Sequence, residues 1–170
     1  TALTREVWEA TNESWITLNS AMAKPVKDQD LPETLGLIRQ QSALVRGATL
    51  GTMLRNDAYY FMRLGSFLER ADATARILDV KYHLLLPEGE RVGGSLDYFQ
   101  WSSILRSVSA LTAYHWVYRQ NLRPWLVADL LILRREMPRS LSSCCENVTR
   151  FLDEIARDYG QQGPSQRLAR

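Results

Sequence analysis

The sequence predicts an all-α fold, a helical bundle with one long central helix, on three observations. Apolar residues recur at three- and four-residue spacing along most of the chain. Capping residues and prolines stand where helices would begin, and no alternating stretch bounded by hairpin turns marks a strand. A chain of 170 residues is long enough to bury a core, since domains of this size hide roughly two-thirds of the surface their unfolded chains expose.

Val7/Trp8, Thr11, Trp15, Leu18 and Met22 wrap an apolar stripe down a first helix over 3–22, and two tryptophans on that face predict a deep packing surface. Lys24 to Gln29 has a proline and charges but no period, so it reads as a loop. Asp30-Leu31-Pro32-Glu33 then supplies a capping residue, an early proline and an acid three positions on, the start of a second helix. Its period runs through Leu35, Ile38, Ser42, Val45 and Thr49. Gly47 and Gly51 weaken it, each costing up to about 1 kcal/mol relative to alanine, which predicts a break near residue 50.

Residues 52–86 run without proline, with Phe61, Leu64, Leu68, Ala71, Ala75, Leu78, Tyr82 and Leu85 on one face. They predict a central helix of roughly 50 Å at about 1.5 Å per residue. Pro87 to Gly94 end it in the most flexible connection of the chain, with Ser95 as the next cap. Trp101, Leu105 and Val108 predict a helix near 96–109, and Tyr114, Val117 and Tyr118 another near 110–120. Pro124 opens a short one through Leu133. Pro138 begins a last helix with Leu141, Cys145, Val148, Phe151/Leu152 and Ile155 inward. The domain is therefore expected over 1–159, with 160–170 a polar tail. A chain that opens Thr1-Ala2-Leu3 is expected to be part of a longer protein.

Composition excludes several classes. Lys+Arg 21 against Asp+Glu 19 leaves +2, too balanced for a dedicated nucleic-acid binder. The longest apolar candidate, Trp125 to Leu133, is interrupted by Asp129, so no membrane span is expected. The only cysteines, Cys144 and Cys145, are neighbours that cannot cross-link distant segments, which points to a reducing, cytoplasmic setting. No phosphate-cradling glycine loop or dinucleotide fingerprint is present, and no cofactor is expected. His83 and His115 lack a glutamate three positions before them, so no carboxylate-bridged metal centre is expected. His115 reads as a packed core histidine and the two cysteines as inert buried thiols.

The strongest functional mark is polar. Gly65, Glu69, Asp72, Arg76, Asp79 and His83 fall on one nearly straight line along the central helix, with Arg70 beside it. One reading is a solvated face laced by weak i,i+4 pairs, Asp72–Arg76 and Asp79–His83; the other is an interior ion-paired or binding site, in which Glu69→Gln and Arg76→Ala would destabilise the fold. Gly65 fits a close approach by a crossing helix or a ligand. Arg134, Arg135, Arg139 and Ser140 gather at a helix entrance, where guanidinium forks and free N–H groups suit a phosphate, a carboxylate or a partner; simple capping is the competing reading. No catalytic residue is assignable.

Gly51-Thr52-Met53-Leu54-Arg55, Phe61 through Asp79 with its Glu69-Arg70-Ala71-Asp72 core, Trp101 to Ser107, Ala113-Tyr114 and Met137 to Ser140 resemble, in order, blocks of the bacterial alpha-E family of all-helical proteins. Arg5 to Glu9, Trp15 and Leu18-Asn19 fit the helix that precedes them. The chain looks like the C-terminal portion of such a protein, since members usually carry a further helix with a similar Glu-Arg-Ala pattern near their start. It departs from the family at Asn56-Asp57-Ala58-Tyr59-Tyr60, where an acidic-Gly pair would precede an aromatic. The resemblance implies an uncharacterised domain that accompanies ATP-grasp amide-ligase-like and transglutaminase-like proteins. The expected function is a helical accessory domain that binds such a protein partner, or its peptide product, through the stripe and the arginines. The alternative is an enzyme with Glu69 as general acid/base and Arg76 orienting a carboxylate, completed by an upstream helix. A two-fold homodimer covering an exposed apolar face is a third expectation.

Overall fold

The computed structural model describes residues 3–83, 94–160 and 163–164. It is helical, with no strand among the described residues, and the chain forms two compact units, Thr1–Tyr59 and Tyr60–Arg170.

The first unit is a pair of helices, α1 (Arg5–Ala21) and α2 (Leu31–Thr52), joined through a 3-10 turn at Asp28–Asp30. Thr4 caps α1, its side chain accepting from the Val7 N–H at 3.3 Å. The Thr4 and Thr52 hydroxyls meet at 2.6 Å and Ser14 Oγ donates to Gln41 Oε1 at 2.9 Å, so the helices run antiparallel. Their seam is Val7, Ala10 and Ser14 against Gln41 and Thr49. Small side chains let the backbones approach closely, and the buried amide and hydroxyl satisfy each other. The deep tryptophan surface expected of α1 is not there: Trp8 and Trp15 are 60% and 69% exposed. One residue along a helix is a turn of about 100°, so burying Val7 and Ser14 carries Trp8 and Trp15 off the seam.

Gly47 and Gly51 stay helical, and α2 ends at Thr52. Two of its last carbonyls find donors beyond the helix, Thr49 from the Met53 N–H at 3.3 Å and Leu50 from Arg55 Nη2 at 2.7 Å. The next helix, α3 (Asp57–His83), starts five residues later than expected because Asn56 caps it, its Oδ1 accepting from Tyr59 N–H at 3.3 Å. Its 27 residues span about 40 Å, and the last residues of the expected 52–86 helix lie outside the described ones. The expected loop at 87–94 lies almost wholly outside the described residues, as does most of the polar tail.

The second unit contains most of α3 with α4 (Ser95–Ser107), α5 (Leu111–Tyr118), α6 (Pro124–Ala128) running into a π-helical turn at Asp129–Leu133, and α7 (Leu141–Tyr159). Its core is built on Leu105, Ala110, Tyr114, Val127, Leu130 and Leu131. Tyr114 is fully buried, yet its hydroxyl donates to the Asn121 carbonyl and accepts from the Arg123 N–H, which fixes the turn after α5. On α3 the buried line is Phe67, Thr74 and Lys81 at seven-residue spacing, while Phe61, Leu68 and Tyr82 of the expected face are exposed. Phe67 and Tyr60 pack on Phe151 of α7, centroids 6.0 Å apart in each pair. Arg63 lies with its guanidinium 4.9 Å from the Phe67 centroid, and its buried Nε has no hydrogen-bond partner among the described residues.

Helix α7 begins at Leu141, not at Pro138. Ser140 is its cap, accepting from the Ser143 N–H at 3.0 Å, and Gly160 closes it in the left-handed conformation, φ 67°. Cys144 is buried and Cys145 exposed, the reverse of the expected inward face.

Candidate functional site

Helix α3 presents two kinds of side chain around the Glu69-Arg70 pair. Glu69, Asp72, Arg76 and Asp79 are exposed on one edge. Arg76 Nε donates to Asp72 Oδ2 at 2.7 Å, an i,i+4 ion pair with side chains 76% and 59% exposed. The Asp72 carboxylate, by its hydrogen bond first and its charge second, raises the Arg76 guanidinium further above its ordinary value. A pair this open to water is screened and adds little to stability. The expectation that Arg76→Ala destabilises the fold by orphaning a buried partner therefore loses its ground, because neither partner is buried.

Arg70 turns the other way. It is half-buried, its guanidinium 5.2 Å from the Phe67 centroid, and Nη1 donates to the Pro138 carbonyl at 3.2 Å. One turn on, Thr74 Oγ1 donates to the Arg139 carbonyl at 2.8 Å. Two α3 side chains thus take consecutive carbonyls of the segment entering α7, groups no helix bond reaches. This clasp fixes the arginine-bearing turn to the Arg70/Thr74 face of α3, not to the face of the exposed stripe.

Within the turn the arginines divide. Arg134 Nε donates to Asp129 Oδ2 at 3.0 Å and lies 5.6 Å from the Tyr118 centroid. Asp129 also accepts the Tyr118 hydroxyl. Burial, then the hydrogen bond to Asp129, pushes the Tyr118 phenol up to about 12. The hydrogen bonds from Tyr118 and Arg134 hold Asp129 below the usual carboxylate range. Arg135 and Glu146 form an open pair at 3.6 Å. Arg139 is half-buried, and Ser140 is fully buried, its hydroxyl donating to the Arg134 carbonyl while it caps α7. Burial raises the Cys144 thiol, an effect opposed by the nearby charges of Arg70 and Arg139. His115 is exposed, edge-on to Tyr114 at 5.7 Å, rather than packed in the core. The space a Cβ would take at Gly65 is empty, so no crossing helix among the described residues explains that glycine.

The best-buried polar group was missed in the sequence. Lys81 Nζ donates to Asp97 Oδ1 at 2.6 Å and Gln100 Oε1 at 2.7 Å, and sits 5.2 Å from the Trp101 centroid. Lys81 and Asp97 side chains are 0% and 3% exposed. The signal available was position: Lys81 lies fourteen residues after Phe67, on the same buried line.

A family model described as a predicted alpha-helical domain with a conserved ER motif matches residues 1–170. The chain belongs to the Alpha-E family. The match covers the whole chain, and the description accords with the helices seen here. This Alpha-E chain carries Glu-Arg twice, at Glu69-Arg70 on α3 and at Glu90-Arg91 outside the described residues. No curated protein and no solved structure matches it. Among the described residues no helix is long and apolar enough to cross a membrane, and no three metal-binding side chains gather.

Proposed function

We propose that this Alpha-E chain is a helical accessory domain of the cytoplasm, without chemistry of its own. It docks on an ATP-grasp amide-ligase-like or transglutaminase-like protein of a peptide-synthesis or peptide-modification system. The observation that carries this reading is the exposure of Glu69, Asp72, Arg76 and Asp79 along one edge of α3. A row of exposed charges of both signs suits recognition of a complementary surface, where charge sets partner choice and association rate. General acid–base catalysis by Glu69 with Arg76 depends instead on groups held in a water-excluded site, where electrostatic effects grow.

The test is a calorimetric titration of the purified chain with an ATP-grasp amide-ligase-like protein from the same source. One-to-one association is expected, weakening as salt is raised. Reversing the pair with Asp72→Arg and Arg76→Asp together should lower affinity at least about tenfold without moving the melting temperature. No association with either partner class, or equal binding by the reversed chain, contradicts the reading.

A further inference from the structure

Between α5 and the turn at 134–138 lies an open pocket of about 550 Å³, within the range of roughly 300–1,000 Å³ for small-ligand sites. Trp116, Val117, Leu130 and Met137 give it apolar walls. Trp116 is the most exposed tryptophan described, at 76%, an indole held in water beside an empty apolar surface.

Arg119 and Glu136 border the same pocket, and neither side chain makes a hydrogen bond or ion pair with a described residue. Arg134 also borders it, but Asp129 already holds that guanidinium. Arg119 is in addition conformationally strained. It ends α5 at φ 49°, ψ 32°, the left-handed region that L side chains rarely adopt. The two hydrogen bonds of Tyr114 to Asn121 and Arg123 hold the turn that imposes this backbone. Glycine or asparagine would fill the position with less strain. Strain of this kind collects at ligand clamps, and here its visible result is a free guanidinium at the rim of an apolar pocket.

Unpartnered charges of opposite sign beside an apolar floor complement a zwitterion with an apolar body. We propose that this pocket binds a short apolar peptide, its free carboxylate on Arg119 and its free ammonium on Glu136. Guanidinium and carboxylate match as a two-pronged hydrogen-bonded pair, while the side chains of the peptide lie on Trp116, Val117, Leu130 and Met137. This site is separate from the α3 stripe and goes beyond partner docking.

Isothermal titration of leucyl-leucine into the full chain tests it. One-to-one binding is expected. Amidating the peptide carboxylate or changing Arg119→Gln should each weaken binding at least about tenfold, and the amide should bind the variant no worse than it binds the natural chain. N-acetylation paired with Glu136→Gln should behave likewise. Arg119→Gly, suited to the left-handed backbone, should raise the melting temperature and still lose affinity, which separates the ligand role from the folding role. No binding of leucyl-leucine, equal binding of acid and amide, or undiminished binding by a folded Arg119 variant overturns the proposal. None of these changes touches Asp72 or Arg76, so a failure here leaves partner docking to its own test.

Discussion

Lys81 and Asp97 form an ion pair at 2.6 Å with both side chains out of solvent, tying α3 to α4. Gln100 takes another ammonium proton and Trp101 lies beneath the charge. Removing one member leaves the other buried and uncompensated. Lys81→Ala is therefore expected to destabilise the second unit by about 3–5 kcal/mol, read from urea unfolding. The double change Lys81→Met with Asp97→Leu should recover most of that loss, since apolar residues of similar volume replace a buried pair without stranding a charge.

Thr74→Val keeps the shape of the side chain and deletes its hydroxyl. The Arg139 carbonyl loses its donor, and the expected cost is about 1–3 kcal/mol, read in the same unfolding experiment. A variant as stable as the natural chain would show that the clasp on the α7 entrance adds nothing.

The Tyr118–Asp129 hydrogen bond makes stability depend on alkaline pH. Burial and that bond raise the Tyr118 phenol from 10.0 to about 12, so folding favours the protonated form. Its contribution is complete below the unfolded value of 10.0 and is lost as pH rises from there through about 12. Asp129 acts at the other end: its folded value is depressed, so its contribution is present above the unfolded value of 3.8 and is lost as pH falls through the lower folded one. Unfolding free energy measured from pH 9 to 12 should decline more steeply in the natural chain than in Tyr118→Phe.

Gly65→Ala should stabilise the fold by about 0.5–1 kcal/mol, because an exposed mid-helix glycine is less favourable than alanine and nothing lies within 4 Å of the added Cβ. A thermal melt lowered by this change would contradict the open space at Gly65.

Helices were legible because their period and prolines act locally; their caps were not, for Asp30 makes no side-chain cap bond and Ser95 lies inside α4, while Thr4 and Asn56, not singled out in the sequence, cap α1 and α3. Which face turns inward was not, and the error repeats. Trp8, Trp15, Leu68, Tyr82 and Cys145 are exposed where Val7, Ser14, Phe67, Lys81 and Cys144 are buried, each one residue earlier. At Trp8, Trp15 and Tyr82 the large aromatic outweighed its neighbour, whereas Phe67 against Leu68 and Cys144 against Cys145 offered no difference in hydrophobicity that picks the buried face. The seams chose small or polar groups whose partners lie far along the chain, as Ser14 with Gln41, Thr74 with the Arg139 carbonyl and Lys81 with Asp97. Such pairings leave no periodic trace. The polar stripe was found because it is periodic, and periodicity could not say whether it was solvated. Arg119 was invisible for a different reason: a left-handed backbone is a property of the turn, and arginine does not advertise it.

Glu69 and Arg70 are adjacent but face opposite ways, Glu69 to solvent and Arg70 onto Phe67 and the Pro138 carbonyl. The most direct test of the account is to measure partner affinity and melting temperature together for Glu69→Lys and Arg70→Ala. Glu69→Lys should lose affinity for the ATP-grasp-like or transglutaminase-like partner at an unchanged melting temperature, and Arg70→Ala should lower the melting temperature. A Glu69→Lys chain that binds as tightly as the natural one, or that melts as low as Arg70→Ala, would contradict a recognition surface on this edge of α3.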